Sequence, residues 1–203
     1  MNKIIFASQN KSKLEECRHV LAGLPFELIS QDEYNVSDIE EMGLSFVENA
    51  LIKARHASQQ TGLPALGDDS GLMIDALNGG PGLYSARYAG KNTDYSHKIN
   101  HLLTELSGFK GAERRARFVA VIVFLRDLHD PLPLICQGIW EGVILDAPRG
   151  EHGFGYDPVF GLTPEGESVA EMPPALKNTL SHRSQALHLF VEAYLSRLRS
   201  PLF

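Results

Sequence analysis

The chain has 203 residues, 43% hydrophobic and 22% charged, with a net charge of −6. Such a composition describes a globular chain long enough to bury a core of its own. The acidic balance excludes a general nucleic-acid binder, which needs basic patches to neutralise phosphates. It leaves room for a phosphorylated small molecule held by a few lysines and a metal ion.

The chain opens with Lys3-Ile4-Ile5-Phe6-Ala7, a buried strand too short to serve as a signal peptide. Lys11 to Leu21 follows as a helix, with Leu14, Cys17, Val20 and Leu21 forming its apolar face. Phe26 to Ile29 is a second strand. A polar, acidic loop then runs through Asp38, Glu40 and Glu41 to Gly43. From Ser45 to about Gln60, the positions Phe46, Val47, Ala50, Leu51, Ala54 and Ala57 recur at helical spacing. Ser45 with Glu48 forms a capping-box signature, and Gly62 with Pro64 ends the helix.

The next stretch, Gly67-Asp68-Asp69-Ser70-Gly71, follows the apolar run Leu63 to Leu66 and reads as a turn ending a strand. Paired carboxylates at such a place suit a hard divalent cation or a base that activates water. An acidic surface turn is the plainer alternative. Leu72 to Leu77 continues beyond it, Asn78 to Gly82 is a loop, and Thr93 to Leu106 is helical.

Arg117 to Leu125 is a near-continuous apolar strand of the kind buried on both faces. Asp130-Pro131 turns the chain into Leu132 to Cys136, and Ile139 to Leu145 completes a long antiparallel hairpin. A last helix runs from Ser181 or His182 to about Arg199. Strands and helices mix without strict alternation, which predicts an α/β chain with a mixed sheet flanked by helices. No apolar run approaches the ~20 residues that span a bilayer. Cys17 and Cys136 stand in no metal-type spacing. The expected setting is therefore reducing and cytoplasmic, with no membrane and no nucleic acid as partners.

Four further groups can carry chemistry. Ser8-Gln9-Asn10-Lys11-Ser12-Lys13 joins the first strand to the first helix, where unpaired backbone N–H groups meet an anion. Lys13 can add a full charge there, although the spacing is not that of a Walker loop. Lys53 stands one helical turn from Asn49. Gly153-Phe154-Gly155-Tyr156-Asp157-Pro158 alternates glycines with aromatics, a loop able to lay a ring against a planar base. Ser181-His182-Arg183 puts positive side chains at a helix N-terminus, against the macrodipole, with Lys177 just upstream.

In order, these motifs are Ser8-x-Asn10-x-x-Lys13, Glu48-Asn49-Ala50 with Lys53, Asp68-Asp69-Ser70-Gly71-Leu72, Gly82-x-x-Ser85-Ala86-Arg87-Tyr88, Phe154-Gly155-Tyr156-Asp157-Pro158 and Ser181-His182-Arg183. Their conjunction resembles the inosine/xanthosine triphosphate pyrophosphatases, over nearly the whole chain. The resemblance implies one domain over residues 1–203, elongated and two-lobed, with the site between its lobes. It implies hydrolysis of ITP, dITP and XTP to the monophosphate and pyrophosphate, with Mg2+, by a homodimer. By position, Ser8 to Lys13 and Lys53 hold the triphosphate, and Asp69 is the general base. Asp69 with Glu40 or Glu41 ligates the metal, and Ser70 contacts substrate. Phe154, Gly155, Tyr156, Asp157, Lys177, His182 and Arg183 form the base pocket. Gln9 and Ser184 stand where the family commonly has glycine. The rival readings are a pyrophosphatase for modified pyrimidine or methylated guanine triphosphates, and a nucleotide sensor without turnover.

Overall fold

The computed structural model describes residues 2–90 and 93–199. Among these residues six strands, β1 (Asn2–Ala7), β2 (Phe26–Ser30), β3 (Ala65–Ile74), β4 (Arg115–Leu125), β5 (Leu134–Ile144) and β6 (Phe160–Gly161), form one sheet in the order β2-β1-β3-β4-β5-β6. β1 pairs parallel with both β2 and β3, whereas β5 pairs antiparallel with β6, so the sheet is mixed as expected. Among the described residues five α-helices accompany it: α1 (Lys11–Val20), α2 (Phe46–Thr61), α3 (Tyr95–Glu105), α4 (Pro174–Leu180) and α5 (His182–Leu198).

The helix ends follow from local chemistry. The Asn10 side chain accepts from the Lys13 N–H and caps α1, and Arg18 and His19 complement the dipole in its last turn. Ser45 accepts from the Glu48 N–H, and the Glu48 carboxylate accepts from the Ser45 hydroxyl and the Leu44 N–H. Gly62 ends α2 in the left-handed conformation, φ 67°. Pro174 occupies the first position of α4, where its missing N–H costs nothing.

The chain forms two compact units. The first comprises Met1–Ser70, Ala120–Gly138 and His182–Phe203; the second comprises Gly71–Val119 and Ile139–Ser181. In the first, Ile4, Phe6, Leu14, Cys17, Leu66, Ile122, Phe124, Leu187 and Phe190 bury together. In the second, Leu72, Ile74, Leu102, Phe118, Trp140 and Phe160 do so. β3, β4 and β5 each give part of their length to both units.

One expectation is overturned. The acidic stretch is no turn: β3 runs unbroken from Ala65 to Ile74, through both aspartates, and both are buried. Gly67 is there for close approach rather than for bending. A Cβ on it would stand 2.1 Å from the Ala50 carbonyl oxygen of α2. The small side chains Ala50 and Ala54, both fully buried, complete that contact.

Candidate active site

Because successive side chains of a strand leave on opposite faces, Asp68 and Asp69 enter different surroundings. Asp68 is fully buried and accepts from Arg183 Nε at 2.7 Å, with Lys13 Nζ on its other oxygen. Arg183, at the start of α5, is 1% exposed. Its Nη1 donates to Glu16 of α1 at 2.6 Å, and its Nη2 donates to the Ser70 hydroxyl at 2.9 Å. Burial alone would raise the Asp68 pKa, but the Arg183 guanidinium and the Lys13 ammonium outweigh it and hold the carboxyl well below the usual range. Lys13 is shifted down, chiefly by burial and against the pull of Asp68.

Asp69 meets α2 instead. Lys53 Nζ donates to Asp69 Oδ1 at 2.9 Å and to Glu41 Oε1 at 2.7 Å. Burial raises the Asp69 pKa above its ordinary value, with Lys53 and Lys13 opposing. Burial pulls the Lys53 pKa down, but Asp69 and Glu41 more than reverse this, so its ammonium stays charged. Of the two loop glutamates, Glu41 is the one whose carboxylate reaches this group, whereas Glu40 is exposed.

The residues fit a magnesium ion in a specific sense. Among the described residues, no three His, Cys, Asp or Glu side chains are grouped to hold a metal by themselves. Yet two carboxylate oxygens converge on one cationic nitrogen, and magnesium usually takes only one or two carboxylates, with waters and substrate phosphates completing its shell.

The phosphate-type loop is built as the sequence indicates. Asn10 N–H donates to the Ser8 hydroxyl at 3.2 Å, and Lys13 N–H donates to Asn10 Oδ1 at 3.1 Å. Lys11 and Gln9 are exposed, and Ser8, Asn10 and Ser12 are partly exposed. Gln9 is not among the described residues with positive φ, so the side chain in place of glycine sits on ordinary backbone.

The second unit carries its own cluster. Asp157 Oδ2 accepts from Lys177 Nζ at 2.6 Å and from the Phe154 N–H at 2.8 Å. Lys177 Nζ lies 4.5 Å from the centre of the Phe154 ring. Asp157 and Lys177 are buried, while Phe154 and Gly155 keep part of their surface. Tyr156 is different: it is buried, packs edge-on against Tyr95 and donates its hydroxyl to the Ser85 carbonyl at 3.0 Å. Ser85 in turn accepts from the Leu72 N–H at 2.9 Å, so Tyr156 braces the Ser85-Ala86-Arg87 loop.

The structure thus groups Lys13, Asp68, Ser70 and Arg183 on one face of β3, and Lys53, Asp69 and Glu41 on the other. Phe154, Asp157 and Lys177 form a separate group, and His182 is buried at the first position of α5. Two contributors were missed from sequence. Glu16 is one; as a lone helix glutamate it carries no signal. Gly138 is the other: a Cβ on it would lie 1.9 Å from the His182 carbonyl oxygen, so its bare backbone lets the start of α5 press onto β5. A glycine inside an alternating strand marks such an approach.

The description of the Ham1 family matches residues 4–193. The chain is 58% identical over 187 residues to a dITP/XTP pyrophosphatase of Xanthomonas campestris, covering 92% of this chain and 94% of that one. It is 50% identical over 199 residues to a dITP/XTP pyrophosphatase of Coxiella burnetii, covering 96% of this chain and 100% of that one. A solved HAM1 protein structure from Coxiella burnetii superposes with a TM-score of 0.89 at 49% identity, over 97% of this chain and 100% of that one. A dITP/XTP pyrophosphatase structure from Mycobacterium abscessus gives 0.73 at 39% identity, over 93% of this chain and 98% of that one. With nearly its whole length matched, the chain belongs to the Ham1 family.

Proposed function

We propose that this protein hydrolyses the non-standard purine nucleoside triphosphates ITP, dITP and XTP to the monophosphate and pyrophosphate. The observation that carries the chemistry is the arrangement around Asp69, a carboxylate set against Lys53 and Glu41 and given a raised pKa by burial. Membership of a family whose relatives bear the name dITP/XTP pyrophosphatase supports the substrate class.

Water attacks a triphosphate phosphorus once the phosphate charge is neutralised and the nucleophile is positioned. Asp69 accepts the proton of that water. The Ser8 to Lys13 loop, with Lys53, takes the phosphates, whose charge suits the start of α1. Asp69 and Glu41 would hold Mg2+, which would supply further neutralisation of the phosphate oxygens. Asp68 keeps Arg183 in place, and Arg183 holds the Ser70 hydroxyl on the same face of β3 as Asp68. Phe154 lies against the purine and Lys177 donates to its 6-oxo group, both fixed by Asp157. Gly155, His182 and Arg183 complete base recognition, and Tyr156 braces the neighbouring loop from the core. In ATP a 6-amino donor would face these donors, and a site built for one hydrogen bond rejects a partner lacking it by ~10⁴–10⁵-fold.

The reading includes a single catalytic domain over the whole chain, working as a homodimer in the cytoplasm, where the free and buried Cys17 and Cys136 stay reduced. Among the described residues no helix is long and apolar enough to cross a membrane. The test is a panel of nucleoside triphosphates with pyrophosphate detection. ITP, dITP and XTP are expected to lead it by orders of magnitude over ATP. Preference for dTTP or UTP over ITP would replace this substrate class with the pyrimidine one.

A further inference from the structure

We propose that Lys53 is a built-in counter-cation of the metal site: its ammonium and a divalent cation compete for Glu41 and Asp69, and a triphosphate, by drawing Lys53 onto its phosphates, opens the two carboxylates to the metal. The inference rests on the reading above that Glu41 and Asp69 are the metal's protein ligands.

Geometry makes the two cations exclusive. Lys53 Nζ stands 2.7 Å from Glu41 Oε1 and 2.9 Å from Asp69 Oδ1. Magnesium takes oxygen ligands at about 2.0–2.1 Å. An ion bound by the same two oxygens would lie within a few ångströms of an ammonium that stayed in place, and like charges at that range repel strongly in a partly buried site.

The groups around the ammonium are tied to β3 and to the start of α2. Asp69 lies inside β3, and α2 is pressed against that strand where Gly67 meets the Ala50 carbonyl. The loop bearing Glu41 is clipped to the start of α2: Gly43 N–H donates to Asn49 Oδ1 and Leu44 N–H donates to Glu48 Oε2, both at 2.8 Å. Asn49 is fully buried. The part left free to move is the lysine's own four-carbon stem, with an ammonium that rotates among acceptors.

Charge then couples the two events. Two carboxylates and one ammonium sum to −1, and two carboxylates with a divalent ion sum to zero. Withdrawing Lys53 alone raises the negative charge of a partly buried pair, so its departure favours metal entry. By linkage, metal entry favours its transfer to the phosphates to the same degree. The opposite face of β3 differs, because Asp68 keeps Arg183 when Lys13 turns to a phosphate. Lys13 can therefore leave without a replacement, whereas Lys53 is exchanged for one.

The test is binding of Mn2+ alone to the substrate-free full-length protein, followed by electron paramagnetic resonance. Lys53→Met and Lys53→Gln are each expected to bind Mn2+ about ten-fold more tightly than the wild type, although both lose turnover. Equal or weaker binding in the folded variants overturns the exchange. Glutamine keeps a hydrogen bond to the carboxylates, which retains a folded variant if methionine does not. A third protein separates this failure from failure of the metal reading: Glu41→Gln in the Lys53→Gln background must weaken Mn2+ binding, and unchanged binding there means that the ion sits elsewhere. The wild type gives an independent readout. Saturating Mg2+ must increase labelling of Lys53 by acetic anhydride, and labelling that Mg2+ leaves unchanged overturns the proposal.

Discussion

Asp68 and Asp69 are adjacent in sequence and opposite in electrostatic circumstance: the first is held ionised by Arg183 and Lys13, the second has its pKa raised by burial against the pull of Lys53. The strand's alternation produces the difference, because it sends one carboxylate toward α1 and α5 and the other toward α2. One is placed to brace the site and the other to take a proton.

Substituting each aspartate should therefore separate stability from turnover. Asp68→Asn leaves Arg183 and Lys13 facing a neutral amide, and breaking a buried pair in this way costs about 3–5 kcal/mol. Asp69→Asn leaves Lys53 its second carboxylate, Glu41, so it should cost less stability than Asp68→Asn. Its turnover should fall by about 10²–10⁴-fold, the usual contribution of a general base. Urea unfolding and pyrophosphate release on the two proteins check both halves. An Asp69→Asn destabilised as much as Asp68→Asn, or one retaining full turnover, contradicts the assignment.

The same pair sets the response to acid, and the signs differ. A carboxyl whose folded pKa lies below its unfolded value stabilises the fold above the unfolded value of ~3.9. Asp68 thus contributes fully above about pH 4, and its contribution is lost as pH falls from there toward its folded pKa. Asp69 has the opposite shift, so it subtracts stability as pH rises through the interval between its unfolded and folded values. Its protonation also removes the base, so kcat/KM should fall on the acid side as Asp69 takes up its proton. Asp69→Asn should flatten that limb in its residual activity, and Asp68→Asn should weaken the acid sensitivity of unfolding.

Much of this was legible in the sequence. Helical periodicity and caps located α1, α2 and α5 to within a residue or two, because Asn10, Ser45 and Gly62 act through local hydrogen bonds and dihedrals that the sequence states directly. The acidic segment was misread for a related reason. Asp, Ser and Gly favour turns locally, and what overrides that preference is tertiary: α2 lies against Gly67, and cations from α1, α2 and α5 neutralise the aspartates. The segment Gly161 to Leu180, which holds α4 and part of β6, shows no clear periodicity. Tyr156 reads as part of the base pocket because its motif alternates glycine and aromatic, and only the Ser85 carbonyl shows that its hydroxyl is used in the core.

Gly67→Ala tests the contact that makes the strand possible. The added methyl would lie 2.1 Å from the Ala50 carbonyl oxygen and 3.1 Å from Ala54 Cβ, and backbone at that distance must move. Overpacking of this kind costs about 1–3 kcal/mol. Displacing α2 also shifts Lys53 relative to Asp69, so kcat/KM should fall in the folded fraction. Gly108→Ala is the control, since nothing lies within 4 Å of its added carbon. Thermal melts and kinetics on both variants decide it, and equal behaviour would contradict the close approach.

The two loop glutamates give a direct comparison. Glu41 reaches Lys53 beside Asp69, whereas Glu40 is exposed. Glu41→Gln should raise the Mg2+ concentration needed for half-maximal activity by about ten-fold or more, since magnesium is held by few protein carboxylates and each counts heavily. Glu40→Gln should leave it within about two-fold. Metal titrations at saturating ITP measure both, and a reversed order moves the metal to Glu40.

Base selectivity can be read separately from stability. Lys177 is buried, donates to Asp157 at 2.6 Å and sits over the Phe154 ring. Lys177→Met removes the donor assigned to the 6-oxo group and alters the packing of Asp157, so some loss of folded protein is expected. The ratio of kcat/KM for ITP to that for ATP does not depend on how much enzyme is active, which makes it the useful quantity. It should narrow by at least about ten-fold, because a hydrogen bond to a charged donor is worth ~1.5–3 kcal/mol. Loss of activity toward ITP should account for most of the change, since ATP never gained from that donor. If the ratio is unchanged, discrimination at the 6-position resides in His182 or Arg183 instead, and the same measurement on His182→Ala identifies which.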